Sequence, residues 1–286
     1  MTPPDFLAIG HVTKDVVDKS FKLGGSVTYS ALTASRLGLK VAVVTSAGPD
    51  LNLASALEGI KVCCLESPVT TTFRNIYEKG QRRQFLPAVG RRLSADDVPR
   101  AWLTAPLVHL APVADELDAD LAAVFPQALV GVTPQGWMRR WDEQGLVHAK
   151  EWQEAERVLA HTSVLILSEE DIAPYPSSII TGYAAKVPVL VITEGDKGAR
   201  VHTEGAWHHL PAFPTQEVEP TGAGDVFAAA YLVHYAKERD AIAAVRFANC
   251  VASFAVEREG TDGIPTLEQV KERLALWMGS ADFLGG

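Results

Sequence analysis

The 286-residue sequence has few of the features that mark an exported or membrane-bound protein. It contains three cysteines, with Cys63 and Cys64 adjacent and Cys250 distant, which form neither a disulfide framework nor the spaced pairs of a zinc site. No apolar run approaches the ~20 residues of a membrane-spanning helix, and the N-terminus has no basic segment leading into such a run. We therefore expect a cytoplasmic protein that makes no contact with a membrane.

An excess of basic residues is also missing. The 26 lysines and arginines stand against 35 aspartates and glutamates, and the formal net charge is -9. This balance gives no electrostatic support to nucleic-acid binding. The chain has no Gly-x-x-x-x-Gly-Lys-Ser/Thr string, and "GHVTKD" lacks the Gly-x-Gly-x-x-Gly of dinucleotide-dependent enzymes. These absences exclude a P-loop hydrolase and a dinucleotide-dependent oxidoreductase, and a small soluble ligand fits better.

What the chain does contain is an alternation of short β-rich runs with helical patterns. Buried strands are predicted at 6–10, 40–48, 107–112, 129–133, 164–168 and 187–193. Helices are predicted between them at 27–38, 118–128, 150–160 and 177–186. An antiparallel patch follows at 193–213, and the rest of the chain is predicted to be helical. This alternation favours an α/β fold with a Rossmann-like, mostly parallel sheet covered by helices on both faces.

Two stretches interrupt the alternation. Residues 70–86 predict a β-hairpin that turns near Lys79 and Gly80, and residues 20–26 follow another short strand. Neither stretch is long enough to form a domain. We therefore expect one domain over residues 1–286, with lid segments at about 12–26 and 70–88 that form a small β lid over a ligand. An exposed lid of this kind could also serve as a homodimer interface.

The stretch "EPTGAGDVF" (219–227) precedes an apolar, Ala-rich helix. Gly222 and Gly224 allow a sharp turn that exposes successive N–H groups, and the helix start adds its own unpaired amides and positive dipole end. Such a turn suits a phosphate. Asp225 would repel a phosphate, but it could take the proton from an attacking hydroxyl while the amides of Gly222, Ala223 and Gly224 stabilise the transferred phosphoryl group. The alternative is that Asp225 only caps the helix.

The string "PTGAGDVF" resembles the C-terminal signature of the ribokinase/PfkB family of carbohydrate kinases, and other landmarks of that family follow in the same order. "GHVTKDVV" and "LGGSVTYSALTASRLG" are similar to the sugar-binding region, and "TTTFRNIYEKGQRRQ" is similar to the lid strand. "LSEED" falls at the magnesium motif, and "VITEGDKGA" and "FANCVASFAVEREG" fall at the nucleotide-binding segments. The resemblance implies a ribokinase-like fold with a β lid and a phosphoryl transfer that uses ATP and Mg²⁺.

The candidate site residues follow from this resemblance and from the polar groups after the predicted strands. The acceptor is expected to contact Asp15, Gly24, Gly25, Ser26, Arg74 and Gln135. The nucleotide is expected at Thr193, Gly195, Gly198 and Asn249, and magnesium at Glu170 and Asp171. Four residues depart from the family pattern, and they leave the metal contacts, the identity of the substrate and a monovalent-cation site open: Ser26, Ser168, Asp171 and Glu219.

Several of these residues have a structural alternative. Asp15 could cap a turn, and Arg74 could be a solvated strand charge. The Asn249 amide could be satisfied by neighbouring backbone, and Gly195 and Gly198 could be ordinary hairpin glycines.

The predicted function is phosphorylation of a small neutral sugar or polyol, and "GGSVTYSA", "TTTFRNIY" and "VTPQGWMRR" most resemble the inositol-kinase-like branch. The expected acceptor pocket carries short polar groups suited to hydroxyls, namely Asp15, Ser26, Thr28 and Gln135. Asp15 argues against a sugar phosphate, although three basic residues could offset its charge: Arg74, Arg139 and Arg140. Two alternatives stay open. One is a nucleoside kinase with Phe73 and Tyr77 around a base, and the other is a non-catalytic regulatory protein.

Overall fold

The computed structural model describes residues 2–17, 20–78 and 81–281. In these ranges the strands are β1 (Phe6–Ile9), β2 (Thr13–Val17), β3 (Ser20–Gly24), β4 (Val41–Ala47), β5 (Lys61–Glu66), β6 (Thr72–Glu78), β7 (Gln81–Ala88), β8 (Leu107–Leu110), β9 (Leu129–Val132), β10 (Arg139–Trp141), β11 (Val147–Ala149), β12 (Val164–Ser168), β13 (Val189–Thr193), β14 (Ala199–Thr203) and β15 (Ala206–Leu210). The helices are α1 (Ser26–Arg36), α2 (Leu53–Ala56), α3 (Ala155–Leu159), α4 (Glu169–Ile172), α5 (Ser177–Ala184), α6 (Ala223–Glu238), α7 (Ala241–Ala255) and α8 (Leu267–Ala281). Across the described ranges, none of these helices has the length and apolar composition needed to cross a membrane. The predicted turn at Lys79 and Gly80 lies outside the described residues.

Nine strands form one sheet in the order β15-β14-β13-β12-β9-β8-β1-β4-β5. The seven strands from β13 to β5 pair in parallel, and β14 and β15 extend the sheet antiparallel. Every residue of β1, β4, β8 and β9 is buried, because helices cover both faces of the sheet. The predicted α/β fold with a mostly parallel sheet is confirmed.

Two apolar cores lie on the two faces of this sheet. Phe6 belongs to the core beneath α1, α6 and α7, whereas the next residue, Leu7, belongs to the core on the other face. This division follows from the alternation of side chains along a strand. In β9, a Cβ at Gly131 would lie 2.3 Å from the side chain of Leu232 in α6. Glycine at this position therefore allows α6 to pack directly against the middle of the sheet.

The lid is a separate four-stranded sheet in the order β3-β2-β6-β7, built from the two stretches that interrupt the sequence pattern. His11 lies where this sheet joins the main one. Its ring nitrogens lie 2.6 Å from the Thr71 hydroxyl and 2.9 Å from the Ser46 hydroxyl, and its backbone N–H donates to the buried carboxylate of Glu116. These contacts attach the base of the lid to the core.

Some predicted elements differ from those in the structure. The segment predicted as a helix at 118–128 forms only a 3₁₀ turn at Ala119–Val124, because Pro126 cannot continue a helix and restricts the residue before it. The helix predicted at 150–160 is limited to α3, and Trp152 instead stacks on Trp137 with ring centroids 5.4 Å apart. The edge strand β5 and the hairpin β10-β11 had no clear signal in the sequence.

Candidate active site

A cavity of about 1010 Å³ lies between the lid and the carboxyl ends of the parallel strands. The carboxyl ends of β12 and β13 contribute Ser168 and Thr193, and the segments that follow β9, β12 and β13 contribute Gln135, Glu170 and Gly195. The lid contributes Thr13, Asp15, Phe73, Asn75 and Gln84, and the N-termini of α1 and α6 contribute Gly25, Ser26, Gly222, Ala223, Gly224 and Asp225. Strand ends and two helix N-termini thus meet in one space, as expected for the ligand site of an open α/β sheet.

The turn before α6 depends on one glycine. Gly222 is the N-cap residue and has the left-handed φ of 82°, and a Cβ there would lie 2.3 Å from the Tyr29 ring. Gly224 does not share this strain, because it lies within the first turn of α6 and a Cβ there would meet nothing within 4 Å. The expectation that both glycines form the sharp turn is therefore wrong for Gly224, whose exposed backbone faces the cavity.

Asp225 is the third residue of α6, so Gly222 rather than Asp225 is the N-cap. Burial raises the pKa of Asp225 to about 6, an effect opposed by hydrogen bonding from Ser26 and by the positive charge of Arg139. The neighbouring carboxylates of Asp171 and Asp15 raise the pKa further. A carboxylate with a pKa just below neutral pH is ionised and still basic enough to accept a proton.

At the lid end, Asp15 lines the cavity and accepts a hydrogen bond of 3.0 Å from the Thr13 hydroxyl. Gly24 does not line the cavity. A Cβ there would lie 2.2 Å from Oδ2 of Asp15, so this glycine makes room for the carboxylate rather than for a ligand. Thr28 is fully buried and its hydroxyl donates to the Gly24 carbonyl oxygen at 2.6 Å, which removes it from the expected acceptor pocket.

Arg74 is not placed where the sequence predicted it. Side chains alternate along β6, and Phe73 and Asn75 face the cavity, so Arg74 lies on the other face of the strand. Its side chain is exposed, and its guanidinium carbon lies 5.4 Å from the centroid of the Phe85 ring on β7. The prediction that Arg74 contacts the acceptor or the transferred phosphate is therefore wrong for this conformation.

Three residues on the cavity wall were missed by the sequence reasoning. Asn75 and Gln84 face each other across β6 and β7, where the Gln84 amide donates to Oδ1 of Asn75 at 3.2 Å. Tyr29 follows Ser26 by three residues on α1 and so lies on the same face of that helix. Two patterns in the sequence could have indicated these residues. Tyr29 is spaced three residues from Ser26 on a helix, and Asn75 is spaced two residues from Phe73 on a strand.

At the opposite end of the cavity, Thr193, Gly195, Gly198 and Asn249 all line the wall. The Asn249 side chain donates to the carbonyl oxygens of Leu210 and Pro211 at 3.2 and 3.0 Å, which matches the structural alternative and fixes the chain segment beside the cavity. A Cβ at Gly198 would lie 2.2 Å from the Leu210 carbonyl oxygen. This end of the cavity also has an apolar lining, formed by Phe213, Pro214, Ala252 and Val256.

The two residues expected to bind magnesium differ in position. Glu170 lines the cavity, whereas Asp171 does not. The Asp171 carboxylate accepts hydrogen bonds from the Ser168 backbone N–H and the Gln135 amide, both at 3.2 Å, and the Asp171 N–H donates to the Ser168 hydroxyl. Asp171 therefore forms a capping box at the start of α4. In residues 2–17, 20–78 and 81–281, no group of three or more His, Cys, Asp or Glu side chains is arranged to hold a metal.

The charge on the cavity wall nevertheless suits a cation bound together with a polyphosphate. Among the described lining residues, Arg139 is the one basic side chain. Six carboxylates line the same space: Asp15, Glu170, Asp196, Glu217, Glu219 and Asp225. A highly charged anion would be repelled here unless its own charge were neutralised, and Mg²⁺ bound to phosphates with water and one or two carboxylates is the usual solution.

Lys22 connects the lid to the core beside the turn before α6. Its ammonium nitrogen lies 3.5 Å from Oε2 of Glu219 and 3.0 Å from Oε2 of Glu259. The Glu219 carboxylate also accepts a hydrogen bond of 3.0 Å from the Gly260 backbone N–H. The edge strand β3 is thus joined by ion pairs to the segment that leads into Gly222.

Comparison with known proteins gives consistent results. A family profile described as pfkB family carbohydrate kinase matches residues 146–267. A ribokinase from Bacillus subtilis (strain 168) is 37% identical over 123 residues, which cover 42% of this chain and 42% of that enzyme. A nucleoside kinase from Methanothermobacter thermautotrophicus is 28% identical over 306 aligned residues, covering 96% of both chains.

Solved structures agree with these sequence matches. A pyrophosphate-dependent kinase in the ribokinase family, complexed with a pyrophosphate analogue and myo-inositol, has a TM-score of 0.79 and 25% identity, over 93% of this chain and 99% of that one. Other kinases with this fold have been solved with bound ATP. The glycine turn, the lid and the cavity between them thus occur in a chain whose residues 146–267 match the profile of pfkB family carbohydrate kinases, and whose fold is that of kinases in the ribokinase family.

Proposed function

We propose that the protein is a cytoplasmic, ATP-dependent kinase that phosphorylates a hydroxyl group of a small neutral sugar or polyol. The observation that carries this proposal is the position of Asp225. It lies at the N-terminus of α6, in a cavity that has hydroxyl-binding groups at its lid end and an apolar lining at its other end. A base beside an anion-binding turn, between two such pockets, is the arrangement that phosphoryl transfer to an alcohol needs.

In this mechanism Asp225 takes the proton of the acceptor hydroxyl as its oxygen forms a bond to the γ-phosphorus of ATP. The bond from that phosphorus to the bridging oxygen breaks, and ADP leaves with the electron pair. The backbone N–H groups of Gly222 and Gly224 and the Arg139 guanidinium stabilise the charge on the transferred group. The Ala223 N–H, which the sequence also predicts in this role, instead donates to the Pro220 carbonyl oxygen at 3.1 Å. Glu170 would help to hold Mg²⁺ on the cavity wall, and the metal would neutralise part of the charge of the phosphates.

The charges at the lid end support a neutral acceptor. Asp15 and Asp225 would both repel an anionic acceptor. Of the three arginines that could offset this repulsion, Arg74 faces away from the cavity and Arg140 is exposed. Arg139 is the third of these arginines, and its positive charge already interacts with Asp225, where it lowers the pKa of the carboxyl. A sugar phosphate is therefore disfavoured, while neutral hydroxyl groups find suitable partners in Asp15, Asn75, Gln84 and Gln135.

The choice of ATP as the donor is supported by the other end of the cavity. Its apolar lining offers a nucleoside base a surface to pack against, and pyrophosphate would leave that surface empty. The structural neighbour named as pyrophosphate-dependent makes pyrophosphate the donor to test against ATP.

A nucleoside kinase is the second candidate. The relative that aligns over 96% of both chains is a nucleoside kinase, and Phe73 supplies an aromatic ring on the lid side of the cavity. The side chain of Tyr77, the other half of the expected aromatic pair, lies outside the described residues. A second ring is what a base sandwich would require, so Phe73 alone supports this candidate less strongly.

We expect the highest kcat/KM for myo-inositol or a neutral monosaccharide with Mg-ATP. The measurement is ADP release with myo-inositol, ribose, fructose, adenosine, cytidine and fructose phosphate in parallel, followed by phosphate release with pyrophosphate as donor. Activity should fall steeply for deoxy analogues of the best acceptor, because a site built to bind a hydroxyl rejects molecules that lack it. Adenosine, cytidine or fructose phosphate as the best acceptor would contradict the proposal, and turnover with none would favour a binding protein.

Glu170 and Asp171 provide a matched test of the metal assignment. We expect Glu170→Gln to raise the magnesium concentration needed for half-maximal activity with little change in thermal stability, because Glu170 faces the cavity. Asp171→Asn should instead lower the melting temperature, since it weakens the capping box of α4, which is worth ~1 kcal/mol. The measurements are magnesium titrations at saturating ATP and thermal unfolding. Overlapping titrations for Glu170→Gln and wild type would refute the metal role.

A further inference from the structure

Tyr29 is an aromatic residue on the cavity wall to which the mechanism above gives no role. Its side chain is 5% exposed and lines the cavity, and its hydroxyl is not among the fully buried polar atoms that lack a partner in the described part of the chain. A phenol hydroxyl at the wall of a cavity can hydrogen-bond to a ligand that enters it.

The surroundings of the ring place this hydroxyl between the two parts of the site. The ring carbons Cδ1, Cε1 and Cζ all lie within 2.5 Å of where a Cβ on Gly222 would be, so the ring covers the backbone of the turn before α6. Three carboxylates interact electrostatically with the phenol: Asp15 at the lid end, and Asp225 and Glu219 beside the turn. The hydroxyl is therefore close both to the expected base and to the end where the acceptor would bind.

The phenol stays neutral in this position and keeps the proton that it can donate. Burial, reinforced by Asp15, Asp225 and Glu219, raises the pKa of Tyr29 well above its ordinary value of 10. The proton thus stays on the oxygen at any working pH. Ionised carboxylates accept hydrogen bonds but cannot donate them, so an acceptor molecule held by Asp15 and Asp225 still needs a donor for its own oxygen lone pairs.

We propose that Tyr29 is a specificity residue whose hydroxyl donates a hydrogen bond to an oxygen of the bound acceptor beside the reacting hydroxyl, while its ring supports the Gly222 turn. This assignment rests on the proposed function. The assignment gives the hydroxyl and the ring of Tyr29 different roles, and single substitutions can test the two roles separately. The oxygen acts on acceptor recognition, and the ring acts on the shape of the turn.

The test compares Tyr29→Phe with Tyr29→Leu, using the best acceptor from the panel described above. Tyr29→Phe keeps the ring, and we expect kcat/KM for that acceptor to fall about 10- to 100-fold, mainly through KM, with the melting temperature and the affinity for a non-hydrolysable ATP analogue unchanged. Tyr29→Leu removes the ring and should lower the melting temperature and kcat as well. In a series of deoxy acceptors, the one lacking the contacted hydroxyl should lose no further activity in Tyr29→Phe.

Tyr231→Phe is the matched control. Tyr231 is fully buried in α6, its hydroxyl has no partner among the described residues, and it is not among the described residues that line the cavity. Its substitution should leave KM for the acceptor unchanged. Equal KM values for wild type and Tyr29→Phe in an active kinase would overturn the inference alone. If the wild-type protein phosphorylates none of the acceptors, the proposed function is wrong, and the proposed hydrogen bond from Tyr29 to the acceptor is wrong as well.

Discussion

Asp225→Asn is expected to lower kcat by about 10²- to 10⁴-fold, the usual contribution of a general base. Asparagine has nearly the same shape but cannot accept the proton of the acceptor hydroxyl. Binding of a non-hydrolysable ATP analogue should persist, because removal of a negative charge beside Gly222 does not weaken an anion site. The measurements are steady-state turnover and calorimetric titration of the analogue. Turnover within about threefold of wild type would show that Asp225 is not the base.

The same variant makes an independent prediction about stability. The folded-state pKa of about 6 lies above the ordinary value of 3.8, so the folded protein binds this proton more tightly than the unfolded chain. Ionised Asp225 therefore destabilises the fold above pH 6, by up to about 3 kcal/mol, and this cost disappears as the pH falls from 6 to 4. Asp225→Asn should be more stable than wild type at pH 7 and equally stable below pH 4. Wild-type kcat/KM should fall as the pH drops through about 6, where the base becomes protonated.

Gly222→Ala is expected to cause the other large loss, with kcat/KM at least about 100-fold below wild type. A Cβ at this position would meet the Tyr29 ring at 2.3 Å, and the left-handed φ of 82° costs an L-residue about 1–2 kcal/mol. The backbone conformation of the turn before α6 must therefore change. Its N–H groups would then no longer point together at the expected position of the phosphoryl group. Turnover and thermal unfolding measure the two effects, and we expect the melting temperature to fall as well.

Gly224→Ala is the control for this substitution. Gly224 is helical and a Cβ there meets no atom within 4 Å, so we expect no loss of stability. Any loss of activity in this variant reports the new methyl group in the space where the phosphoryl group is expected. A Gly222→Ala protein with normal stability and normal turnover would contradict the role of the turn.

The main features of the fold could be predicted from the sequence because its strands are buried on both faces. Continuous apolar runs such as those of β1 and β4 give a clear signal, and the antiparallel patch predicted at 193–213 appears as β14 and β15. The apolar pattern at 118–128 predicts a helix, but Pro126 prevents a helix from continuing there, so that prediction is wrong. The edge strand β5 was missed because none of its six residues is fully buried, so it lacks a continuous apolar run.

The residues of the candidate site were harder to predict from the sequence than the fold. Alternation along β6 divides its residues into two faces, but both faces carry polar side chains, and the sequence alone does not show which one the lid turns inward. Arg74 was chosen for its charge, whereas Asn75 is the polar residue that reaches the cavity. Asp171 was assigned to a metal because the contacts to Ser168 and Gln135 that engage it form only in the folded chain. Tyr29 was overlooked because an aromatic residue in an apolar helix usually belongs to the core.

The contacts of Lys22 also bear on how firmly the lid is joined to the core. An ion pair at the surface contributes only about 0.2–1 kcal/mol and is weakened by salt, and the Glu259 side chain is 72% exposed. Lifting β3 from Glu219 and Glu259 thus costs little, and a bulk ion can replace either partner. The β3 edge of the lid is thus joined to the core by contacts that dissolved salt competes with, so ionic strength would govern how readily this edge separates from the segment before Gly222.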